Sequence, residues 1–291
     1  MKTFGKKNKI RSYGKINLFL KVNRKLKNNY HKIQTLITFC DLYDTILIYE
    51  IGGSKDKIIF YGEFKKKINS NSNTITKILH ILRKEGKLKK RVFKIFVKKN
   101  IPHGSGLGGG SANASSLLNY FNTEYHLGLR NSKLVSVARQ VGYDTPITLV
   151  KNSSYILAHN RQIIRLKEKY KLNILIVFPK IGCSTKQIYS KNKNFSNYKP
   201  FLLNKIKSKK QLIEFLKKET NDLQPTVVNT YPKIKELIDF ILCQEGCYFS
   251  RITGSGSACI GIFSSFNSAK TAKKIIKRNF PNYWLKVSKT I

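Results

Sequence analysis

Five glycines fall within seven positions, at Gly104, Gly106, Gly108, Gly109 and Gly110. They follow an apolar, strand-like run at 92–97 and precede a helical run from Ser111 to about Tyr125. Glycine has no Cβ, so successive backbone N–H groups can converge on an anion. A helix starting just beyond adds the partial positive charge of its N-terminus. Ser111, Ser115 and Ser116 place hydroxyls near that terminus. The segment therefore suits a polyphosphate. The competing reading is a plain connection, for which five glycines between a strand and a helix are poor material.

Known phosphate loops can be tested against this spacing. A Walker A loop ends in Gly-Lys-Ser/Thr; here Gly109 has the right spacing, but Gly110 stands where the lysine is needed. Gly104-x-Gly106-x-x-Gly109 matches the dinucleotide fingerprint in letters. Its acidic partner about 20 residues on would be Glu124, which sits in a helical run rather than at a strand end. Neither His-Arg-Asp nor Asp-Phe-Gly occurs, so protein-kinase logic fails as well.

Charge is the second strong feature: 56 Lys+Arg against 15 Asp+Glu give a formal net charge of +41. Such a balance is the usual footprint of a nucleic-acid binder. The excess is spread, however, at +20 over residues 1–100, +11 over 101–200 and +10 over 201–291. Only 10 of the basic residues are Arg, the better type for bidentate phosphate and base contacts. Lys, Asn and Ile are abundant together and share A/T-rich codons, so composition bias accounts for all three. The charge is read as background, with a basic nucleic-acid-binding protein as the rival from another class. Five scattered cysteines make no disulfide framework and fit a reducing compartment. Cys243 and Cys247 have no nearby Cys/His pair, which argues against zinc. No apolar run reaches membrane-span length and no targeting segment is visible, so a cytoplasmic protein without membrane contact is expected.

Periodicity predicts strands over 15–22, 34–39, 45–50, 92–97, 155–157, 163–166, 174–178, 248–252, 257–264 and 283–288. It predicts helices over 74–85, 111–125, 132–142, 211–218, 233–242 and 269–278. Leu42-Tyr-Asp-Thr45 reads as a turn, Gly52-Gly-Ser54 as a hairpin or loop, and 191–210 as a Lys-rich surface excursion. The pattern is α+β with two lobes, 1–150 and 151–291.

The stretch from Pro102 to Asn113 resembles the phosphate loop of the GHMP kinases, in the Gly-Leu-Gly-Gly-Gly-Ser-x-Asn form of one branch. Further motifs follow in family order over nearly the full chain. They are Tyr13-Gly-Lys-Ile-Asn-Leu, Tyr30-His31 with Gln34-Thr-Leu36, Gly142-Tyr-Asp-Thr-Pro146, Asn221-Asp-Leu223 and Thr253-Gly-Ser-Gly-Ser257. The resemblance implies the two-domain GHMP kinase fold, with an N-terminal domain like the second domain of ribosomal protein S5 and a ferredoxin-like C-terminal domain. It implies ATP as co-substrate, with Mg²⁺. The implied reaction phosphorylates the 2-hydroxyl of 4-(cytidine 5'-diphospho)-2-C-methyl-D-erythritol, a step of non-mevalonate isoprenoid synthesis. Another small-molecule kinase of the family, for homoserine or mevalonate, is the alternative.

By the same resemblance, Lys15 and Asp144 are the catalytic pair, the carboxylate taking the hydroxyl proton and the ammonium facing the phosphoryl oxygens. Pro102, His103, Gly104, Ser105, Gly106, Leu107, Gly108, Gly109, Gly110, Ser111 and Ala112 would bind ATP. Asn17, Tyr30, His31, Thr185, Gly254 and Gly256 would bind the alcohol substrate, Tyr30 and His31 at its cytosine ring. Asp144 stands out independently as the one carboxylate between Glu124 and Glu168. Beside Gly and Pro, a capping or turn role is its competing reading. Asn17 lies one strand step past Lys15 on the same face. Tyr143 and Thr145 flank Asp144 where the family has Ala and Val, which raises the question of packing beside the base.

Overall fold

The computed structural model describes residues 8–26, 31–66, 68–157, 162–166, 170–198 and 206–291. Contacts divide the chain into two compact units. The first contains Met1–Lys15, Leu42–His103 and Gly108–Lys151; the second contains Ile16–Asp41, Gly104–Leu107 and Asn152–Ile291. Neither unit is a continuous stretch of chain: 16–41 and the loop residues 104–107 group with the residues from 152 onward.

Two long strands, β1 (Asn8–Lys25) and β2 (His31–Ile51), run through both units. In the first unit, the second half of β2 pairs antiparallel with β4 (Val92–Lys98), which pairs parallel with β3 (Lys57–Tyr61). Helices α1 (Thr74–Lys84), α2 (Gly109–Glu124) and α3 (Asn131–Val141) supply the other side of its core. Ile46, Ile48, Phe93 and Ile95 of the strands pack with Ile78, Leu82, Leu117 and Phe121 of the helices. Helix α1 forms where the sequence predicts it because Ile75, Ile78, Leu79 and Leu82 make one apolar stripe. Asn73 caps it, its side chain accepting from the Ile75 and Thr76 amides. A short helix α4 (Thr145–Thr148) closes the unit, with Asp144 at its N-terminal boundary.

In the second unit, the first half of β2 pairs with β5 (Ser154–Ile156), and β5 with β6 (Ile163–Arg165). A second sheet has the order β10 (Trp284–Lys289), β7 (Asn173–Phe178), β9 (Cys259–Phe263), β8 (Cys247–Ile252), antiparallel throughout. Numbered within the sheet, that is 4-1-3-2, the order of a ferredoxin-like split βαβ. Its helices are α5 (Thr185–Lys191), α6 (Lys209–Lys218), α7 (Gln224–Thr230), α8 (Lys233–Leu242) and α9 (Phe266–Asn279). Ile234, Leu237, Ile241, Ala272 and Ile276 from α8 and α9 cover Leu175, Val177 and Phe263 of the sheet.

The structure corrects several expectations. Leu42-Tyr-Asp-Thr45 is no turn: β2 runs straight through it, with Cys40, Leu42, Asp44 and Ile46 buried alternately. The Asp that suggested a turn occupies a core-facing strand position. Gly52-Gly-Ser54 is a loop rather than a hairpin, because β4 lies between β2 and β3. Helix α2 begins at Gly109, two residues before the expected start, so two glycines lie inside its first turn. Strand β3 and helices α5 and α7 had no expectation; all are short, and Pro225 in α7 hides a helical pattern. The Lys-rich excursion is described only in part, and Tyr30 lies outside the described residues. All five cysteines are free. Among the described residues, no helix is long and apolar enough to cross a membrane.

Candidate active site

Lys15 points into the first unit from β1 and is only 4% exposed. Its ammonium lies 3.4 Å from Asp144 Oδ2. The Asp144 side chain is 43% exposed. It makes no capping hydrogen bond to α4, so the capping role open on sequence grounds is not the one it plays. Helix α2 holds the short helix that Asp144 precedes. Ser115 Oγ donates to the Thr145 carbonyl at 2.7 Å and pairs with Thr148 Oγ1 at 2.7 Å, and Asn119 donates to the Leu149 carbonyl. Ser115 is fully buried and committed to these bonds, which corrects its reading as a hydroxyl available to phosphate. Tyr143 is 58% exposed.

The glycine loop passes directly over the Lys15 side chain. Gly108 has φ +69° and ψ 20°, a left-handed conformation that favours glycine. A Cβ there would stand 2.7 Å from Lys15 Cγ and 3.1 Å from Cε. Gly108 is also the N-cap of α2 and provides no capping side chain. The amides of Gly109, Gly110 and Ser111 thus open the helix without intrahelical acceptors, the arrangement that receives anions. Pro102 and Ala112 are buried, whereas His103 and Gly110 are exposed.

Residues 104–107 are held within the second unit by close backbone contact. Gly106 has φ +86°, and a Cβ on it would lie 2.0 Å from the Thr253 carbonyl oxygen. A Cβ on Gly256 would lie 2.0 Å from the Ser105 carbonyl carbon. The Ser105 carbonyl accepts from Ala258 N at 3.1 Å, and the Gly104 carbonyl from Cys183 N at 3.1 Å. The Thr253-Gly-Ser-Gly-Ser257 turn therefore needs glycine at 256 because the backbone of Ser105 and Gly106 occupies the space a side chain would take. Gly254, at φ +60°, makes the turn itself. Thr185 opens α5, and its hydroxyl pairs with Ser255 Oγ of the same turn at 2.9 Å.

Asn17 is 3% exposed; its amide donates to Thr35 Oγ1 at 2.9 Å, and its backbone N–H to Thr253 Oγ1 at 2.9 Å. His31 opens β2. Its Nε2 is buried and without a hydrogen-bond partner. Burial, and secondarily the charge of Lys25, lowers its pKa from the ordinary 6.5, so the ring is neutral at neutral pH. The imidazole lies 5.0 Å from the Tyr189 ring and 6.4 Å from the Phe195 ring, nearly parallel to the latter at 15°. Sequence reasoning passed over both aromatics. The available signal was Phe195, a large apolar residue in a Lys- and Asn-rich stretch, and it is 47% exposed.

Comparison with known proteins adds an independent observation. Residues 73–151 match the family model of the GHMP kinases N-terminal domain, and residues 202–282 that of the GHMP kinases C-terminal region. The 4-diphosphocytidyl-2-C-methyl-D-erythritol kinase of Pelagibacter ubique (strain HTCC1062) is 41% identical over 283 residues, 97% of this chain and 99% of that protein. The enzyme of the same name from Anaplasma phagocytophilum (strain HZ) is 30% identical, over 95% of this chain and 92% of its own. A crystal structure of 4-(cytidine 5'-diphospho)-2C-methyl-D-erythritol kinase superposes with a TM-score of 0.76 at 22% identity, covering 97% of this chain and 99% of the other, and shows the shared fold. With motifs, topology and both family regions in agreement, the chain belongs to the GHMP kinases.

Proposed function

We propose that this kinase transfers the γ-phosphoryl group of ATP to the 2-hydroxyl of 4-(cytidine 5'-diphospho)-2-C-methyl-D-erythritol. The observation that carries the reading is the placement of Lys15. Its ammonium faces Asp144 while its alkyl stem lies against Gly108 of the phosphate loop. One side chain thus links the carboxylate to the loop.

Phosphoryl transfer has a loose transition state, so positioning and charge stabilisation matter more than covalent help. In this reading the α2 first-turn amides receive phosphate oxygens, and the Lys15 ammonium stabilises charge on the transferring group. Asp144 orients the attacking hydroxyl and takes its proton. Mg²⁺ would enter with ATP, held mostly by phosphate oxygens and water as is usual for that ion. Among the described residues no three His, Cys, Asp or Glu gather to hold a metal. The protein's share of that coordination would be one or two oxygens. The neutral His31, with Tyr189 and Phe195 beside it, supports recognition of a flat heteroaromatic base by stacking and one edge hydrogen bond.

Asp144→Asn and Lys15→Ala, assayed for single-turnover transfer from labelled ATP, should each lose about 10²–10⁴-fold. Transfer within threefold of wild type in both variants refutes the assignment of the pair. Wild-type phosphorylation of homoserine or mevalonate in preference to the cytidylyl alcohol refutes the substrate.

A further inference from the structure

Asp44 is the aspartate that looked like a turn former and instead lies fully buried in β2. Its carboxylate accepts from four donors. Oδ1 takes the backbone N–H groups of Asn100 at 2.8 Å and Ile101 at 2.9 Å. Oδ2 takes Asn113 Nδ2 at 3.1 Å and the ammonium of Lys99. Lys99 is 3% exposed and Asn113 2% exposed. The positions of these donors matter more than their number. Asn100 and Ile101 are the last residues before the phosphate loop. Asn113 lies in the second turn of α2, at the far end of that loop segment. The Lys99 ammonium sits under the loop as well: a Cβ on Gly109 would stand 3.3 Å from its Nζ.

Stability alone is a poor account of this cluster. A buried ion pair seldom outperforms well-packed apolar residues of the same volume. The arrangement also leaves Asn113 Oδ1 buried without a hydrogen-bond partner, a cost that apolar packing would avoid. What the cluster does achieve geometrically is to tie the entrance and the exit of one loop to a single carboxylate. A loop fixed at both ends before its ligand arrives loses less freedom on binding.

We propose that Asp44, Lys99 and Asn113 are positioning residues that fasten both ends of the glycine loop in its nucleotide-receiving shape. The proposal rests on the reading of that loop as the ATP site. None of the three needs to touch the nucleotide. Asn113 frees one end while the other three donors to Asp44 remain, so it is the residue to change.

Asn113→Ala should raise the dissociation constant for a fluorescent ATP analogue about tenfold, the loss expected of one hydrogen bond to a charged acceptor. KM for ATP should rise in parallel. KM for the alcohol substrate and kcat should stay within twofold. The double variant Asp44→Asn/Lys99→Met removes both charges together and should shift the same two ATP quantities in the same direction, which covers a failure of Asn113→Ala to fold. The proposal is overturned if Asn113→Ala binds the analogue within twofold of wild type. It is also overturned if ATP and alcohol affinities fall by equal factors, the mark of a merely structural role. Absence of analogue binding by the wild-type protein refutes the ATP reading of the loop instead.

Discussion

Gly108→Ala tests how closely the phosphate loop and the Lys15 side chain depend on each other. Two effects can be estimated from the geometry. The residue has φ +69°, and a left-handed alanine costs about 1–2 kcal/mol. The new Cβ would stand 2.7 Å from Lys15 Cγ, whereas carbon atoms rest at roughly 3.5–4.0 Å. The Lys15 stem must therefore move by about 1 Å. A displacement of that size in a reacting constellation costs roughly 100-fold in rate, or about 2.7 kcal/mol of transition-state stabilisation. The strain alone should lower the melting temperature by only a few degrees, at roughly 2–4 °C per kcal/mol. Gly110→Ala is the stability control. Gly110 has no positive φ, and a Cβ on it meets Thr74 at an ordinary 3.6 Å. Replacing a helical glycine there should hold or raise stability by up to about 1 kcal/mol. Single-turnover transfer at saturating ATP, alongside melting curves, separates rate from folding. The reasoning fails if Gly108→Ala transfers phosphate within threefold of wild type, or if both variants lose the same stability.

Two further outcomes concern His31 and Thr145. The folded pKa of His31 lies below its ordinary 6.5, so the unfolded chain binds the proton more readily, and folding stability contributed by the neutral ring is lost as pH falls below about 6.5. His31→Gln should therefore lose less stability than wild type between pH 7 and 5 in thermal melts, and its KM for the cytidylyl alcohol should rise while KM for ATP holds; parallel melting profiles contradict this. Thr145 Oγ1 is buried and unpartnered, so Thr145→Val should gain about 1 kcal/mol in urea unfolding by removing an unsatisfied polar atom; a loss of stability contradicts it.

Local pattern carried much of the fold. Apolar stripes located α1, α8 and α9, and short apolar runs located β4, β7 and β9, because burial of one face imposes its period on the sequence. Where polarity entered the core, the pattern misled. Asp44 looked like a turn because aspartate rarely faces a core, and only the four donors around it explain why it does. Ser115 likewise reads as an available hydroxyl on sequence alone, whereas its hydroxyl is taken by α4.

The site divides along the same line. The sequence by itself determined the strand–glycine–helix order of the phosphate loop and the family motifs, since these are features of neighbouring residues. It also singled out Asp144 in a chain so poor in acids. Only the tertiary structure decided that Lys15 reaches Asp144 with its stem against Gly108, and that Gly256 is glycine because the loop backbone lies against it. It alone set His31 beside Tyr189 and Phe195. Each of these is a contact between residues far apart in the chain. Its existence depends on how strands and helices pack, and no local period or spacing records that.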